Sequence, residues 1–362
     1  MRRAAEIAAQ VFTARDAMLR DTAEDLRVAF LLFDSAAEVL MYRHIQGRLH
    51  MGIYSAPPPD AWGSPRVIEV DLNNVNQKAA ATAASDKYIH WVLSASSQRS
   101  ILREFESKLR LLAWDGEIPS TFVSIIGRLH QYRNEMYHRD ESRPEALRTV
   151  VHLYAWLIAE LLERLPPMWT GWLSSDSKDL LPRTYKRMGL PPPDDTGIRD
   201  RPNGRSMQEA MAMALRRQLS LDGGTSLFAD YVKSRVETVH GQLQFVSEYL
   251  ADFHDLTGLS EWDVIRLLHT DERLHDKMSL YADEPVIDPR PPTQRKIPVT
   301  RADLNRWDNW HSRIGECLNP LDAFHSLAEF ERQFEPFETR ISQLTAVADS
   351  DIQHRWDLYR GK

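Results

Sequence analysis

A single cysteine, Cys317, stands in the 362 residues. An intramolecular disulfide and a cysteine-built metal cage are therefore excluded, and a reducing, cytoplasmic setting is expected. Glycine is scarce at 15 residues, while Leu, Ala, Glu and Arg are plentiful, a balance that favours helices over strands. Positive charge is in deficit. With a formal net charge of -7 the chain does not coat nucleic acid by bulk electrostatics, so any RNA contact must be focal. Long apolar runs are missing too: the longest, Val150 to Leu162, is interrupted by His152 and Glu160 and is too short to span a bilayer. No membrane association is expected. The first residues mix Glu6 and Asp16 into a helical pattern, which is not that of a secretion signal. There is no P-loop, dinucleotide fingerprint, nucleophile elbow or HExxH pair, and no metal or cofactor is expected.

What the chain has is helical periodicity. Apolar residues recur at helical spacing from Thr22 to Gly47, from Ser100 to Trp114, from Ser120 onward and from Pro144 to Leu165; residues 3–19 form a weaker amphipathic helix. Joined by short loops, with one insertion at about 52–97, these helices suit a compact antiparallel bundle over residues 1–168. Inside the insertion, Arg66 to Leu72 alternates like a strand, but no partner for it is visible and a lone strand is unstable. Residues 169–206, with Pro191, Pro192 and Pro193, read as a linker. A helical C-terminal domain over 207–362 follows, with capping pairs at Ser260 and Asp263 and at Thr300 and Asp303. The fold class expected is all-α, a helical bundle followed by a second helical domain.

Three charged residues sit where apolar ones belong. On the helix from Ser120, Phe122, Ile125, Ile126, Leu129 and Met136 share one face, and Arg133 falls inside that stripe. A buried guanidinium is costly unless an acid, a phosphate or another subunit meets it. On the helix from Thr22, Asp34 and Glu38 fall among Phe30, Met41 and Ile45, so the two carboxylates are the candidate partners. Two readings stand side by side: a structural ion pair that fixes two helices, and an active site. His138 comes five positions after Arg133, a rotation of about 140° on a continuous helix. The two converge only if the helix ends near Tyr137 or if a second copy of the chain supplies half of the residues.

The run Arg133-Asn134-Glu135-Met136-Tyr137-His138 resembles the motif of HEPN ribonucleases: Arg, a polar residue, a short spacer and His. The resemblance extends over the flanking helices, from about Thr22 to Leu165, and identifies the bundle as HEPN-like. It implies a metal-independent endoribonuclease, a toxin or antiviral effector, with an RNA substrate and a cleft at a homodimer interface. Under it His138 transfers the proton, Arg133 meets the scissile phosphate, Asn134 orients the phosphate or the His, and Asp34 and Glu38 hold Arg133. Where many antitoxin-paired members carry Tyr two positions after the His, this chain has Asp140, which argues against control by nucleotide attachment there. Arg128, Arg139 and Arg143 are the candidate RNA contacts, with Arg148 beside them; Asp140, Glu141 and Glu145 nearly balance them, so a solvated helix end fits them equally well. The rival reading is a non-catalytic helical scaffold or ligand-binding protein that keeps the motif for structure.

Elsewhere, His269 and His275 beside Asp271, Glu272 and Asp276 lack the spacing of a helical zinc pair. Trp262, Trp307, Trp310 and Trp356 are expected in a core or at a partner interface, because basic residues do not interleave them. The C-terminal domain is expected to serve regulation or recognition, through a sensor or inhibitor partner.

Overall fold

The computed structural model describes residues 2–55, 65–74, 76–84, 88–138, 144–165, 180–187, 189, 204–219, 221, 224–270, 274–278, 287 and 298–361. The chain is mostly helical and divides into two compact units, Met1–Asp222 and Gly223–Lys362. None of its described helices is long and apolar enough to cross a membrane.

In the first unit, α1 (Arg2–Met18) lies against α2 (Ala23–His50). Thr22 is extended and its hydroxyl accepts from the Asp25 amide at 3.2 Å, which starts α2 where the capping residue predicts. The insertion then supplies β1 (Arg66–Glu69), α3 (Gln77–Ala83) and β2 (Ile89–Val92). The partner that β1 needed is β2, paired in parallel from Arg66↔Ile89 to Glu69↔Val92. Parallel neighbours require a crossover, and α3 lies within it. The all-α expectation is corrected to this extent.

Next come α4 (Ala95–Arg103), α5 (Phe105–Asp115), α6 (Ser120–His138) and α7 (Pro144–Arg164). The helix expected over Ser100 to Trp114 is broken at Glu104, which is extended at φ -93° and ψ 132°. Its carboxylate accepts from the hydroxyls of Ser100 and Ser107, both at 2.7 Å, so local side-chain bonds hold the break. Gly116 takes the left-handed conformation, φ +80°, that ends α5. Buried Asp115 joins the insertion to the bundle: Arg48 reaches it at 3.1 Å, Lys78 at 3.3 Å, and the Tyr54 hydroxyl donates to it. Burial pushes the Asp115 carboxyl up to about 6, against the pull of Arg48 and with the added repulsion of Glu117.

Helix α7 is the centre of this unit. It packs on α2, on α6 and on α9 (Gly204–Arg216), and Val151, Leu153, Tyr154, Ala155, Leu157 and Ile158 are all fully buried. The expected linker 169–206 needs correction where it is described. Helix α8 (Leu180–Arg187) lies against α1, with Arg187 on Asp16 at 2.6 Å, and α9 belongs to the first unit, because its Met207, Met211 and Leu215 are buried there. The proline triplets 57–59 and 191–193 lie outside the described residues.

Among the described residues the second unit contains α10 (Gly224–His254), α11 (Glu261–Thr270), α12 (Leu274–Lys277), α13 (Arg301–Asp308), α14 (Trp310–Gly315) and α15 (Pro320–Tyr359). Both expected caps form: Ser260 with Asp263, and a full capping box at Thr300 and Asp303. Helices α10 and α15 run against each other and against α14, burying Phe228, Val232, Phe324, Phe330 and Phe334. Arg235 of α10 reaches Glu331 of α15 at 2.8 Å.

Candidate functional site

The site grows from one buried carboxylate. Asp34 of α2 is 2% exposed, where an ionised group must find donors to offset lost hydration. Tyr154 of α7 donates its hydroxyl hydrogen to Oδ1 at 2.7 Å. His130 of α6 places Nδ1 at 3.0 and 3.1 Å from the two oxygens. Arg133, three residues further on α6, places Nε 3.8 Å from Oδ2. Three helices thus meet at one side chain.

His130 was not foreseen, although a residue three positions before Arg133 shares its helix face. Its ring stacks on Phe105 at 3.8 Å and 8°, so its plane is fixed. Facing a carboxylate, Nδ1 carries the hydrogen, which leaves Nε2 of a neutral ring as an acceptor. A histidine held this way can take and return a proton. Burial first, and then the Asp34 charge, raises the Tyr154 pKa well above the ordinary tyrosine value, so its hydroxyl is a permanent donor.

The motif residues are partly joined. Arg133 Nη1 donates to Asn134 Oδ1 at 2.9 Å, and the Arg133 side chain remains 36% exposed. A guanidinium that stands beside a carboxylate and is still partly exposed can meet a phosphate. Helix α6 is continuous through His138, so a rise of about 7.5 Å and a turn of about 140° separate Arg133 from His138 along it. The His138 side chain, Arg139 and Arg143 lie outside the described residues.

Two expectations fail on geometry. Glu38 does not hold Arg133: it pairs with Lys108 of α5 at 3.3 Å, and its side chain is 44% exposed. The buried lysine, 1% exposed, claims the carboxylate nearest to it. Arg128 is not presented as an RNA contact. Its guanidinium lies over Tyr132 at 4.9 Å, bonds Gln131 at 3.0 Å, faces Glu135 at 3.7 Å, and is 9% exposed. Arg148 is exposed and pairs with Asp21 at 3.1 Å.

No group of three His, Cys, Asp or Glu side chains suited to a metal ion occurs among the described residues. The recess beside the motif, lined by Phe30, Tyr132, Met136, Leu147 and Val150, has a volume of about 10 Å³, room for one water at most. No protein-family model matches the chain, and no curated protein and no solved structure matches it either.

Proposed function

We propose that the chain is a HEPN-type, metal-independent endoribonuclease, a toxin or antiviral effector that works as a homodimer. The observation that carries this reading is the Asp34 cluster. It places the Arg133 Nε 3.8 Å from Asp34 while the side chain stays partly exposed, as a phosphate-binding role requires.

The chemistry needs no group beyond the side chains. A base takes the proton of the ribose 2′-hydroxyl, the 2′-oxygen bonds to phosphorus, the bond to the 5′-oxygen breaks, and an acid returns a proton to that oxygen. The products are a 2′,3′-cyclic phosphate and a 5′-hydroxyl. His138 is assigned to proton transfer, Arg133 to charge developing on the phosphoryl oxygens, and Asn134 to orientation. His130, held by Asp34, is a second proton-transfer group. The turn between Arg133 and His138 favours a site shared by two copies, each supplying part of it.

End-group analysis of RNA incubated with the purified protein in excess chelator tests the reading. Cyclic-phosphate and 5′-hydroxyl ends support it; 5′-phosphate ends, or cleavage abolished by the chelator, contradict it.

One observation favours a second reading, a non-catalytic scaffold. Within one chain Asp34 already has three partners, which is also what a purely structural polar cluster needs. An intact protein that cleaves no RNA would favour it.

A further inference from the structure

The first unit carries an open surface cavity of about 310 Å³. Four of the residues lining it are basic: Arg15 of α1, Lys186 and Arg187 of α8, and Arg217, one residue past α9. None of the described residues lining it is acidic, in a chain whose formal net charge is -7. Cations are common in the last turn of a helix, where they offset its terminal carbonyls. That preference accounts for Lys186 and Arg187 on α8, but not for their meeting cations of two other elements around one cavity.

Two of the four are held in place and two are not. Arg15 donates to Asp16 through Nε at 3.1 Å and Nη2 at 2.7 Å, and through Nη1 to the Arg187 carbonyl at 3.0 Å. Arg187 donates from Nη2 to the same carboxylate at 2.6 Å. Asp16 therefore serves two guanidiniums, and one positive charge of that trio stays uncompensated. The Arg187 side chain is 35% exposed and has more N–H groups than this bond uses. Lys186 and Arg217 are exposed and make no ion pair among the described residues. Arg216, next to Arg217, turns instead to α7, where it holds Glu160 and Glu163, both at 2.5 Å, so those two acids are already matched.

The rest of the described lining, Gly189, Ala214 and Gln218, offers no aromatic face on which a ring could stack. What the cavity presents is reachable N–H donors and positive charge in one small space, which suits the oxygens of a compact, highly charged anion. A nucleic-acid strand spreads one charge per phosphate along an extended backbone, whereas a triphosphate chain gathers its charges within a space of this size. We propose that this cavity binds a linear polyphosphate chain of the triphosphate kind, free or at the end of a nucleotide, with Lys186, Arg187 and Arg217 donating to its phosphoryl oxygens and Arg15 and Asp16 holding Arg187 in place. The volume falls within the range of small-molecule sites. The inference stands apart from the ribonuclease reading and does not depend on it.

Calorimetric titration of the full chain with sodium tripolyphosphate and, separately, with adenosine 5′-triphosphate tests the site and separates the two sources. Tripolyphosphate is expected to bind with a Kd below about 100 μM, and orthophosphate at least about tenfold more weakly. A nucleotide that binds as tightly as the bare chain makes either source sufficient; one that binds about tenfold more weakly leaves the free chain as the ligand. Lys186→Gln and Arg217→Gln are each expected to weaken tripolyphosphate about fivefold or more, while Lys233→Gln, which removes an exposed charge from the second unit, leaves its affinity unchanged. Both cavity residues are exposed, so cooperative melting is expected to be retained, and if one variant does not fold the other decides. Absence of tripolyphosphate binding, an equal loss in all three variants, or no loss in the folded cavity variants overturns the proposal. So does short single-stranded DNA that binds more tightly than tripolyphosphate and loses affinity in the same variants, because the cavity would then be part of a nucleic-acid track. A nucleotide about tenfold tighter than the bare chain also overturns it, because the base would then supply recognition that these residues do not offer.

Discussion

Tyr154 donates its hydroxyl hydrogen to Asp34 at 2.7 Å across the packed faces of α7 and α2. The ring is fully buried and meets Phe30 edge-on at 5.3 Å, so the tyrosine is fixed by packing and the carboxylate by the tyrosine. What Asp34 then offers to His130 and Arg133 is set by α7, a helix outside the motif.

Tyr154→Phe removes that donor while keeping the ring. A hydrogen bond to a buried charged group contributes roughly 1.5–3 kcal/mol, and the variant is expected to lose about that much in urea unfolding. A loss within error would mean that Asp34 is oriented by its other partners alone.

His130→Gln keeps a donor near Asp34 but cannot transfer a proton at neutral pH. If His130 acts in cleavage, the variant loses rate and one limb of the pH–rate profile flattens. An unchanged profile with lower stability would mark His130 as structural only.

In the second unit, His240 of α10 lies between Glu261 at 2.7 Å and Asp308 at 2.9 Å, one carboxylate on each ring nitrogen. Burial lowers its pKa, but the bonds to Asp308 and Glu261 outweigh that and leave it raised above 6.5. A group whose folded pKa is raised stabilises fully below its unfolded pKa, and that contribution is lost as pH rises through the folded value. Thermal melts should therefore fall from pH 6 toward alkaline pH by more in the wild type than in His240→Gln. Equal slopes would contradict the pairing.

Arg235 holds Glu331, which is 0% exposed, and also reaches Glu338. Its removal takes the guanidinium away from a fully buried carboxylate, and breaking such a pair typically costs 3–5 kcal/mol. Arg235→Met is expected to lower the unfolding free energy by about this amount. Glu338→Gln, which leaves Glu331 paired, should cost less.

Much of this was legible in the sequence because charge on an apolar stripe is hard to conceal. Arg133 and Asp34 were paired from helical projection alone, and they lie 3.8 Å apart. Projection gives angle but not which neighbour stands opposite, and so Glu38, one turn beyond Asp34, was given to Arg133 when Lys108 claims it. The break at Glu104 escaped because Ile101, Phe105 and Leu109 keep helical spacing across it and neither Gly nor Pro marks it. Strand β2 escaped because four residues are too few to carry a pattern. Tyr154 looked like one more apolar position in a buried helix; its bond to Asp34 depends on tertiary contact and leaves no local signal.

The most direct measurement of the central claim compares RNA cleavage by the wild type, Arg133→Ala and His138→Ala in chelator, with melting curves to show that each is folded. The account predicts chelator-resistant cleavage by the wild type and its loss, by about a hundredfold or more, in both folded variants. Equal cleavage by all three proteins would contradict it.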